Sequence, residues 1–303
     1  MAGDRRCPVT VGIPTYRRSA QLQQSLEAIA RCDPAPAETI IHVDGGDAAT
    51  RAALERDFPH VRPLGSSERV GPGGGRNRIV AAASHSLVAS FDDDSYPCER
   101  DYFARLEALF AQYPQAAVLA ASIVHRGERE AAATEAWTAD FVGCGCAYRR
   151  EAFLQTSGYL CLPLAYGMEE ADLALRLNAL GWQILKTPQL RVFHNTQLEH
   201  HNQPAVTAAS IANQALLAYL RYPALLWGLG LLQCLNRIRW LLRHGRRRGV
   251  LQGIRQIPGL LYRHRQQRQA LTARSIWHYR HRQRHPLPVA TAAASAASDH
   301  ARA

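Results

Sequence analysis

Three consecutive carboxylates, Asp92, Asp93 and Asp94, directly follow the apolar run Leu87–Phe91. That run is typical of a buried strand in a parallel sheet, and Pro97 ends it because proline cannot continue a strand ladder. The acids are therefore expected at the carboxyl end of the strand, where open α/β sheets bind ligands. Their mutual repulsion would be offset by a divalent cation bound to a diphosphate. The alternative is a solvated acidic turn.

A second group of acids, Glu169, Glu170 and Asp172, stands at the start of a predicted helix. Acids in a first turn stabilise the helix through its dipole, by up to about 1 kcal/mol each, and this accounts for one or two of them. A catalytic role requires one of them to face a cleft. His194 closes a later predicted strand; a lone histidine is more often structural, but beside an acidic site it is a candidate metal ligand.

Residues 71–78 are rich in glycine and are predicted to form a loop that opens a helix at residues 79–84. Such a loop can present backbone N–H groups and a helix N-terminus to phosphate. Arg76 and Arg78 favour anion binding, since the guanidinium group suits phosphate. The segment lacks the P-loop lysine and does not fit the dinucleotide pattern, so a flexible loop is the alternative.

Strand-like and helix-like runs alternate over the first 199 residues. The strand-like runs are 9–16, 38–46, which ends in an acid and two glycines, 61–64, 87–91, 116–124 and 142–148. Helix-like runs, such as 50–58 and 99–113, separate several of them. This alternation predicts an α/β fold with a mostly parallel, Rossmann-like sheet flanked by helices.

The chain has 303 residues, of which 47% are hydrophobic, which permits a sizeable core and excludes global disorder. Its net charge of +11 is unevenly spread, with −4 over residues 1–199 and +15 over residues 200–303, where Asp299 is the only acid. This asymmetry indicates an anionic partner, such as phospholipid, nucleic acid or an anionic substrate. The seven cysteines show no CxxC spacing and the first residues show no secretory signal, so we expect free thiols and a cytoplasmic location.

Taken in order, these segments resemble an inverting family 2 glycosyltransferase of the GT-A fold. The resemblance covers roughly residues 9–194, and it lies in the ordered set rather than in any single motif. The matching segments are residues 11–18, the strand-end Asp44, residues 71–77, the acidic triplet, residues 143–150, residues 169–172 and His194.

The resemblance implies roles for particular residues. The nucleotide would contact Thr15, Arg17, Asp44, Arg76, Asn77 and Asp93. A Mn²⁺ or Mg²⁺ ion would be held by Asp92, Asp94 and His194, with Asp94 as the first candidate for a direct ligand. Glu170 stands where the family has the aspartate that acts as general base, and Glu169 and Asp172 are the alternatives.

The resemblance also bears on the kind of transfer. The Q-x-x-R-W motif of processive synthases is absent, so we expect one sugar per encounter, from a nucleotide-sugar donor to a hydroxyl acceptor. A hexosyl or deoxyhexosyl transfer in cell-surface polysaccharide biosynthesis is expected. Relatives with such basic tails often use lipid-linked acceptors, so a lipid-linked saccharide is the expected acceptor. The preference for arginine over lysine, with Lys186 as the only lysine, indicates a GC-rich bacterial genome.

The chain is expected to divide into a catalytic domain at 1–200, a basic amphipathic helical region at 201–285 and a disordered tail at 286–303. Apolar residues and arginines at helical spacing predict helices that lie on an anionic membrane surface, peripheral on the inner face of the cytoplasmic membrane. The apolar run 224–235 is shorter than the roughly 20 residues that span a bilayer. A helical subdomain packed on the catalytic domain is the alternative, and nucleic-acid binding is disfavoured because no motif supports it.

Two other functions fit parts of the sequence. A sugar-nucleotide pyrophosphorylase would carry a glycine-rich activating loop after the first strand, where Pro14-Thr15-Tyr16 stands here. A membrane- or nucleic-acid-binding module with an inactive transferase body would have lost its acids, whereas Asp92 and Glu170 are both present.

Overall fold

The structure is a computed structural model, and it describes residues 6–127, 134–162, 164, 168–195 and 203–289. Within these residues the chain forms one sheet of ten strands, ten α-helices and two 3-10 turns. The predicted α/β fold with a mostly parallel sheet flanked by helices is confirmed.

The sheet contains all the strands of the described residues. They are β1 (Arg6–Thr15), β2 (Ala35–Val43), β3 (Arg62–Gly65), β4 (Leu87–Phe91), β5 (Ser95–Pro97), β6 (Ala116–Val124), β7 (Ala136–Thr138), β8 (Gly145–Arg149), β9 (Gln183–His194) and β10 (Leu287–Pro288). Their order is β10-β7-β9-β6-β8-β4-β1-β2-β3, with β5 paired to β9.

The strands β4, β1, β2 and β3 run parallel to one another. All five residues of β4 are buried, as expected for a strand covered on both faces. The strand β8 lies antiparallel between β4 and β6, while β6 and β9 are parallel. Because β8 follows β4 in the sheet, the segment just before β8 reaches the edge at which Asp92–Asp94 emerge.

The helices cover both faces of the sheet. They are α1 (Ser19–Ala30), α2 (Ala48–Asp57), α3 (Gly71–Ala82), α4 (Tyr102–Gln112), α5 (Arg150–Leu154), α6 (Glu169–Ala179), α7 (Pro204–Arg221), α8 (Trp227–Arg243), α9 (Val250–Arg263) and α10 (Ala273–Arg284). The apolar stripes of α1 and α4 pack into one core, against β1, β4 and β6. The other core contains residues of α3, α5, α6 and α7.

The glycine-rich segment is helical from Gly71, rather than a loop that precedes a helix from residue 79. Close packing explains the glycines. A Cβ at Gly73 would lie 2.6 Å from Glu169 Oε2, and one at Gly75 would lie 2.9 Å from both His42 Nδ1 and Pro14 Cβ. The run of small residues therefore lets α3 approach the sheet and the start of α6 closely.

The C-terminal helices pack on the remainder of the fold. Buried residues of α7 and α10, including Leu216, Leu220 and Ile276, belong to the same core as the strands and α6. The helices α8 and α9 pack on α7, where Gly253 of α9 meets the backbone of Ala208. The helical region thus shares its core with the predicted catalytic domain, as the packed-subdomain alternative required.

The predicted disordered tail begins with an ordered pair of residues. Leu287 and Pro288 form β10, which pairs antiparallel with Ala136 and Trp137. The expectation of disorder from residue 286 is therefore wrong for these two residues, because the edge of the sheet offers them a partner. The remainder of the predicted tail, residues 290–303, lies outside the described residues.

Candidate active site

A cleft of about 340 Å³ opens where the parallel strands β1, β2 and β4 end. Because the carboxyl ends of parallel strands meet at one edge, three residues far apart in the chain come together here: Thr15 at the end of β1, Asp44 after β2 and Asp92 after β4. The cleft is lined by Pro14, Thr15, Tyr16, Arg18, Asp44, Arg69, Gly71, Pro72, Asp92 and Asp93. This is the edge at which the sequence predicted a ligand site.

The acidic triplet is neutralised on one side by Arg18. Its guanidinium nitrogens lie 2.6 Å from Asp93 Oδ1 and 2.6 Å from Asp94 Oδ2. Thr15 Oγ1 also donates to Asp93 Oδ2 at 2.9 Å. Burial raises the pKa of Asp93 to about 7, although Arg18 acts in the opposite direction. Burial alone would raise the pKa of Asp94 too, but His194 and Arg18 lower it to about 2.

Sequence reasoning selected Arg17 for the nucleotide site, whereas its neighbour Arg18 lines the cleft. Arg17 has a positive φ of 56°, and its backbone N–H donates to Asp47 at 3.0 Å. Its guanidinium group lies 5.2 Å from the ring of Tyr16. The turn after β1 therefore presents Arg18 to the triplet, and the adjacent pair of arginines was the only signal that could have indicated it.

Asp44 holds the segment that leads into α3. It accepts hydrogen bonds from Ser66 Oγ at 2.8 Å, from the Val70 N–H at 2.9 Å and from the Gly71 N–H at 3.0 Å. These bonds lower the pKa of Asp44 against the opposing effect of burial, which is the largest single influence. The N–H groups at the start of α3, which the sequence suggested as donors to phosphate, thus donate to the Asp44 carboxylate instead. Asp44 also lines the cleft.

Arg76 lies at the centre of the site and is almost completely buried. Its Nε donates to Ser90 Oγ at 3.0 Å, and its terminal nitrogens contact Asp92 Oδ1 and, at 3.5 Å, Glu169 Oε1. Arg76 therefore links the acidic triplet to the acids of α6. It does not belong to the lining of the cleft, so its predicted contact with the nucleotide stays a prediction.

Asn77 is not among the residues that line the cleft. Its amide nitrogen donates to the Tyr159 carbonyl at 2.9 Å, and its amide oxygen accepts from the Tyr159 N–H at 2.7 Å. These two bonds fix the segment around Tyr159 against α3. The structure brings Asn77 to this segment rather than to the other predicted nucleotide contacts.

The three acids of α6 have different surroundings. Glu170 is partly exposed, and its Oε1 accepts from the Gly143 N–H at 3.3 Å, while Glu169 is buried beside Arg76 and Gly73. Burial is the largest cause that raises the pKa of both Glu169 and Glu170. A raised pKa makes each carboxylate a stronger base once it is ionised.

Asp172, in contrast, is fully buried between two arginines. Arg176 contacts its Oδ2 at 2.6 Å, and Arg221 of α7 reaches Oδ1 at 2.5 Å and Oδ2 at 3.2 Å. Arg176 also donates to Ser157 Oγ at 3.0 Å. With both oxygens engaged and no exposed surface, Asp172 ties α6 to α7 and does not reach the cleft.

His194 completes the site from the end of β9. Its Nε2 lies 3.2 Å from Asp94 Oδ1 and 4.0 Å from Asp92 Oδ2, and contacts with these acids raise its pKa although burial lowers it. Asp94 Oδ1 is buried and receives no well-oriented hydrogen bond from the described residues. Asp92, His194 and Cys144 each place one ligand atom within 4.8 Å of the others. These donors fit a divalent cation, and Cys144 is a member that the sequence did not suggest.

Comparison with known proteins agrees with this fold. The model of the family described as "Glycosyl transferase family 2" matches residues 10–137, which contain the cleft and the acidic triplet. No curated protein matches the chain by sequence.

Solved structures of glycosyltransferases resemble the chain at low sequence identity. Mannosyltransferase PcManGT from Pyrobaculum calidifontis, in complex with GDP-Man and Mn²⁺, has a TM-score of 0.56 at 18% identity over 84% of this chain and 70% of its own. GalNAc-T7 with UDP, GalNAc and Mn²⁺ has a TM-score of 0.56 at 14% identity over 71% of this chain. S. aureus TarS 1-349, in complex with UDP-GlcNAc, has a TM-score of 0.56 at 15% identity over 69% of this chain.

The chain spans 48% of GalNAc-T7 and 65% of TarS 1-349, which is less than two thirds of either. These likenesses establish the fold as that of GT-A glycosyltransferases. The family match over residues 10–137 relates this part of the chain, which carries the cleft and the triplet, to the proteins described as "Glycosyl transferase family 2".

Proposed function

We propose that this protein is a metal-dependent, inverting glycosyltransferase that moves one sugar from a nucleoside diphosphate donor to a hydroxyl acceptor. One observation carries the proposal: the cleft at the carboxyl ends of β1, β2 and β4 is lined by Asp92, which also belongs to the candidate metal cluster and is joined through Arg76 to Glu169 of α6. The nucleotide occupies the cleft beside Thr15 and Asp44. Two of the similar structures contain Mn²⁺, which supports Mn²⁺ or Mg²⁺ as the cofactor.

The residues that hold the metal are Asp92, Asp94 and His194, whose donor atoms converge near the cleft. When bound, the cation supplies positive charge that stabilises the diphosphate as it departs. Arg18 adds a guanidinium group to the same side of the site, where it bridges Asp93 and Asp94. Arg76 keeps Asp92 oriented from within the protein.

Glu170 is the general base in this proposal. It is the partly exposed member of the three acids of α6, and it lies against Gly143 on the side of Arg76 and Asp92. It takes the proton of the acceptor hydroxyl, which attacks the sugar from the face opposite the diphosphate. That attack inverts the anomeric centre in a single displacement, so no enzyme nucleophile is needed.

The acceptor class is part of the proposal. Transfer of a hexosyl or deoxyhexosyl group in cell-surface polysaccharide biosynthesis, onto a lipid-linked saccharide, agrees with the arginine-rich helices beside the catalytic helix α6. The absence of the processive motif in the sequence supports transfer of one sugar per encounter.

Nucleoside diphosphates should raise the melting temperature of the purified protein in a metal-dependent manner. A ligand at 100 times its Kd stabilises the folded state by about 2.7 kcal/mol. We expect this shift with one of UDP, GDP or dTDP in the presence of Mn²⁺, and its loss with a chelator. The Asp94→Ala variant should lose the metal-dependent part of the shift, because a ligand to the cation is removed.

The control for this experiment is Asp57→Asn, at an exposed aspartate that pairs with Arg56 and does not line the cleft. It should respond as the wild type does. A folded wild-type protein that no nucleoside diphosphate stabilises would refute the proposed donor site. An undiminished metal-dependent shift in Asp94→Ala would refute the role of Asp94.

An anionic membrane surface is the second partner we propose, and the outer helices support it. Ten of the 16 large hydrophobic side chains that are exposed in the described part of the chain lie between Leu225 and Tyr262. Exposed arginines such as Arg239, Arg243 and Arg255 stand among them. None of the helices in the described ranges has the length and apolar character to cross a membrane. Apolar side chains interleaved with arginines suit a helix that lies on anionic lipid, where each arginine contributes about 1 kcal/mol.

The full chain should bind vesicles that contain anionic phospholipid more tightly than neutral vesicles, and salt should weaken the binding. The double variant Leu231→Gln, Leu235→Gln should lose at least about tenfold in vesicle affinity, since each exposed leucine adds apolar burial in lipid. Leu180→Gln, an equally exposed leucine at the end of α6, is the matched control. Equal binding to both vesicle types would contradict the membrane proposal. So would a wild-type dimer that becomes monomeric in the double variant, because the leucines would then form an interface between two copies of the chain.

A further inference from the structure

Cys144 points into the candidate metal cluster from the turn before β8. Its Sγ, a carboxylate oxygen of Asp92 and a ring nitrogen of His194 all lie within 4.8 Å of one another. Ligand atoms that share one ion, at 2.0–2.3 Å each, are about 3 to 4.5 Å apart. A small movement of the side chains is therefore enough to place all three on one cation.

One serine holds the three residues in this arrangement. Ser95 Oγ donates to the Cys144 carbonyl at 2.7 Å and accepts from the Asp92 N–H at 2.8 Å. In the ladder between β5 and β9, Ser95 is also the direct partner of His194. Since Ser95 is fully buried, these contacts fix the backbone of all three candidate ligands at once.

The Cys144 thiol also differs from the neighbouring cysteine. Cys146 Sγ donates to Tyr148 Oη at 2.9 Å and lies in the core. Among the described residues, no hydrogen bond involves Cys144 Sγ, although the side chain is buried. The packing and hydrogen bond of Cys146 thus explain its burial in the core. The Sγ of Cys144, in contrast, is buried beside a carboxylate and an imidazole.

We propose that the Cys144 thiolate is a direct ligand of the metal ion that Asp92 and His194 hold. The site then prefers Co²⁺ and Zn²⁺ to Mg²⁺, because thiolate and imidazole suit these ions, whereas Mg²⁺ demands oxygen donors. On binding, the thiol releases its proton to solvent as the metal–sulfur bond forms. This inference rests on the proposed function, and it specifies the metal of the same site.

Titration of the full chain with Co²⁺ tests the proposal without any activity assay. A thiolate bound to Co²⁺ gives a charge-transfer band in the near ultraviolet. We expect the band in the wild type and in the matched control Cys146→Ser, and its loss in Cys144→Ser. The Cys144→Ser variant should lose at least about tenfold in affinity for Co²⁺, because mutating even a residue that only supports a metal ligand costs that much. Its weak binding of Mg²⁺ should change little.

Asp92→Asn provides a readout that leaves every cysteine in place. If the band arises at this site, Asp92→Asn weakens it together with Co²⁺ binding, so the test holds even if Cys144→Ser fails to fold. Co²⁺ binding that depends on Asp92 but shows no thiolate band would overturn the role of Cys144 and leave the proposed metal site standing. If no Co²⁺ binds, with or without nucleoside diphosphate, the proposed metal site itself fails, and Cys144 with it.

Discussion

The Glu170→Gln variant is expected to lose sugar transfer by about 10² to 10⁴-fold, the range that a general base contributes. Glutamine has nearly the same shape and can keep a polar contact near the Gly143 N–H, but it cannot accept the proton of the acceptor. Binding of the donor nucleotide should be unchanged, because Glu170 is not among the residues that line the cleft. Steady-state kcat and the nucleotide Kd, measured on the same preparation, check this result.

The pH dependence of kcat provides a second test. A base must be ionised, so kcat rises with pH through the pKa of Glu170, and burial raises that pKa above the ordinary range for a glutamate. The wild-type profile should therefore fall on its acid side at a higher pH than an exposed carboxylate would give. Glu170→Gln should remove this limb from any residual activity.

Glu169→Gln is the matched control for the base. Glu169 is buried beside Arg76 and Gly73, so this variant should retain more activity than Glu170→Gln. Loss of turnover in Glu169→Gln, together with normal turnover in Glu170→Gln, would show that Glu169 and not Glu170 is the general base. Loss confined to a well-folded Asp172→Asn variant would contradict the structure, in which Asp172 has no exposed surface.

The Arg221→Met variant should reduce the free energy of unfolding by about 3–5 kcal/mol, the cost of breaking a buried ion pair. The side chains of Arg221 and Asp172 are both buried, and the pair joins α7 to α6 across 49 residues of sequence. Methionine fills much of the space but leaves Asp172 with Arg176 as its remaining ionic partner. Denaturant unfolding monitored by circular dichroism measures the difference.

Arg51→Met makes the same replacement in an exposed pair with Glu55, at positions i and i+4 of α2. Such pairs contribute about 0.3–0.5 kcal/mol, so this control should change stability little. If Arg221→Met costs no more than Arg51→Met, the buried pair does not hold α6 to α7. High salt should weaken the exposed pair more than the buried one, because water and ions reach only the former.

The sequence was sufficient for the strand that carries the acidic triplet. An unbroken apolar run followed by Asp92–Asp94 identifies both a buried strand and its carboxyl end, because these features depend on neighbours in the chain. The same local reasoning placed Asp44 after β2 and His194 at the end of β9. The structure brings all of these residues to one edge of the sheet.

Local sequence patterns could not decide which of two nearby residues of similar type reaches the site. The sequence contains Arg17 and Arg18 side by side, and only the turn after β1 decides that Arg18 meets the triplet. The acids of α6 are a similar case. Each residue of a helix turns by about 100°, so Glu170 and Asp172 face in different directions, and the packing of α7 determines which one is buried.

The sequence by itself determined the class of fold, the strand-end positions of the acids and the basic character of the C-terminal helices. The tertiary structure alone decided that Cys144 and Ser95 join Asp92 and His194, and that Arg221 is bound to Asp172. The physical reason is the order of the strands and helices in space. Cys144 reaches Asp92 because β8 pairs with β4. Arg221 reaches Asp172 because α7 and α6 pack in the same hydrophobic core against the sheet. Such pairings depend on contacts between distant segments, which no local pattern of residues encodes.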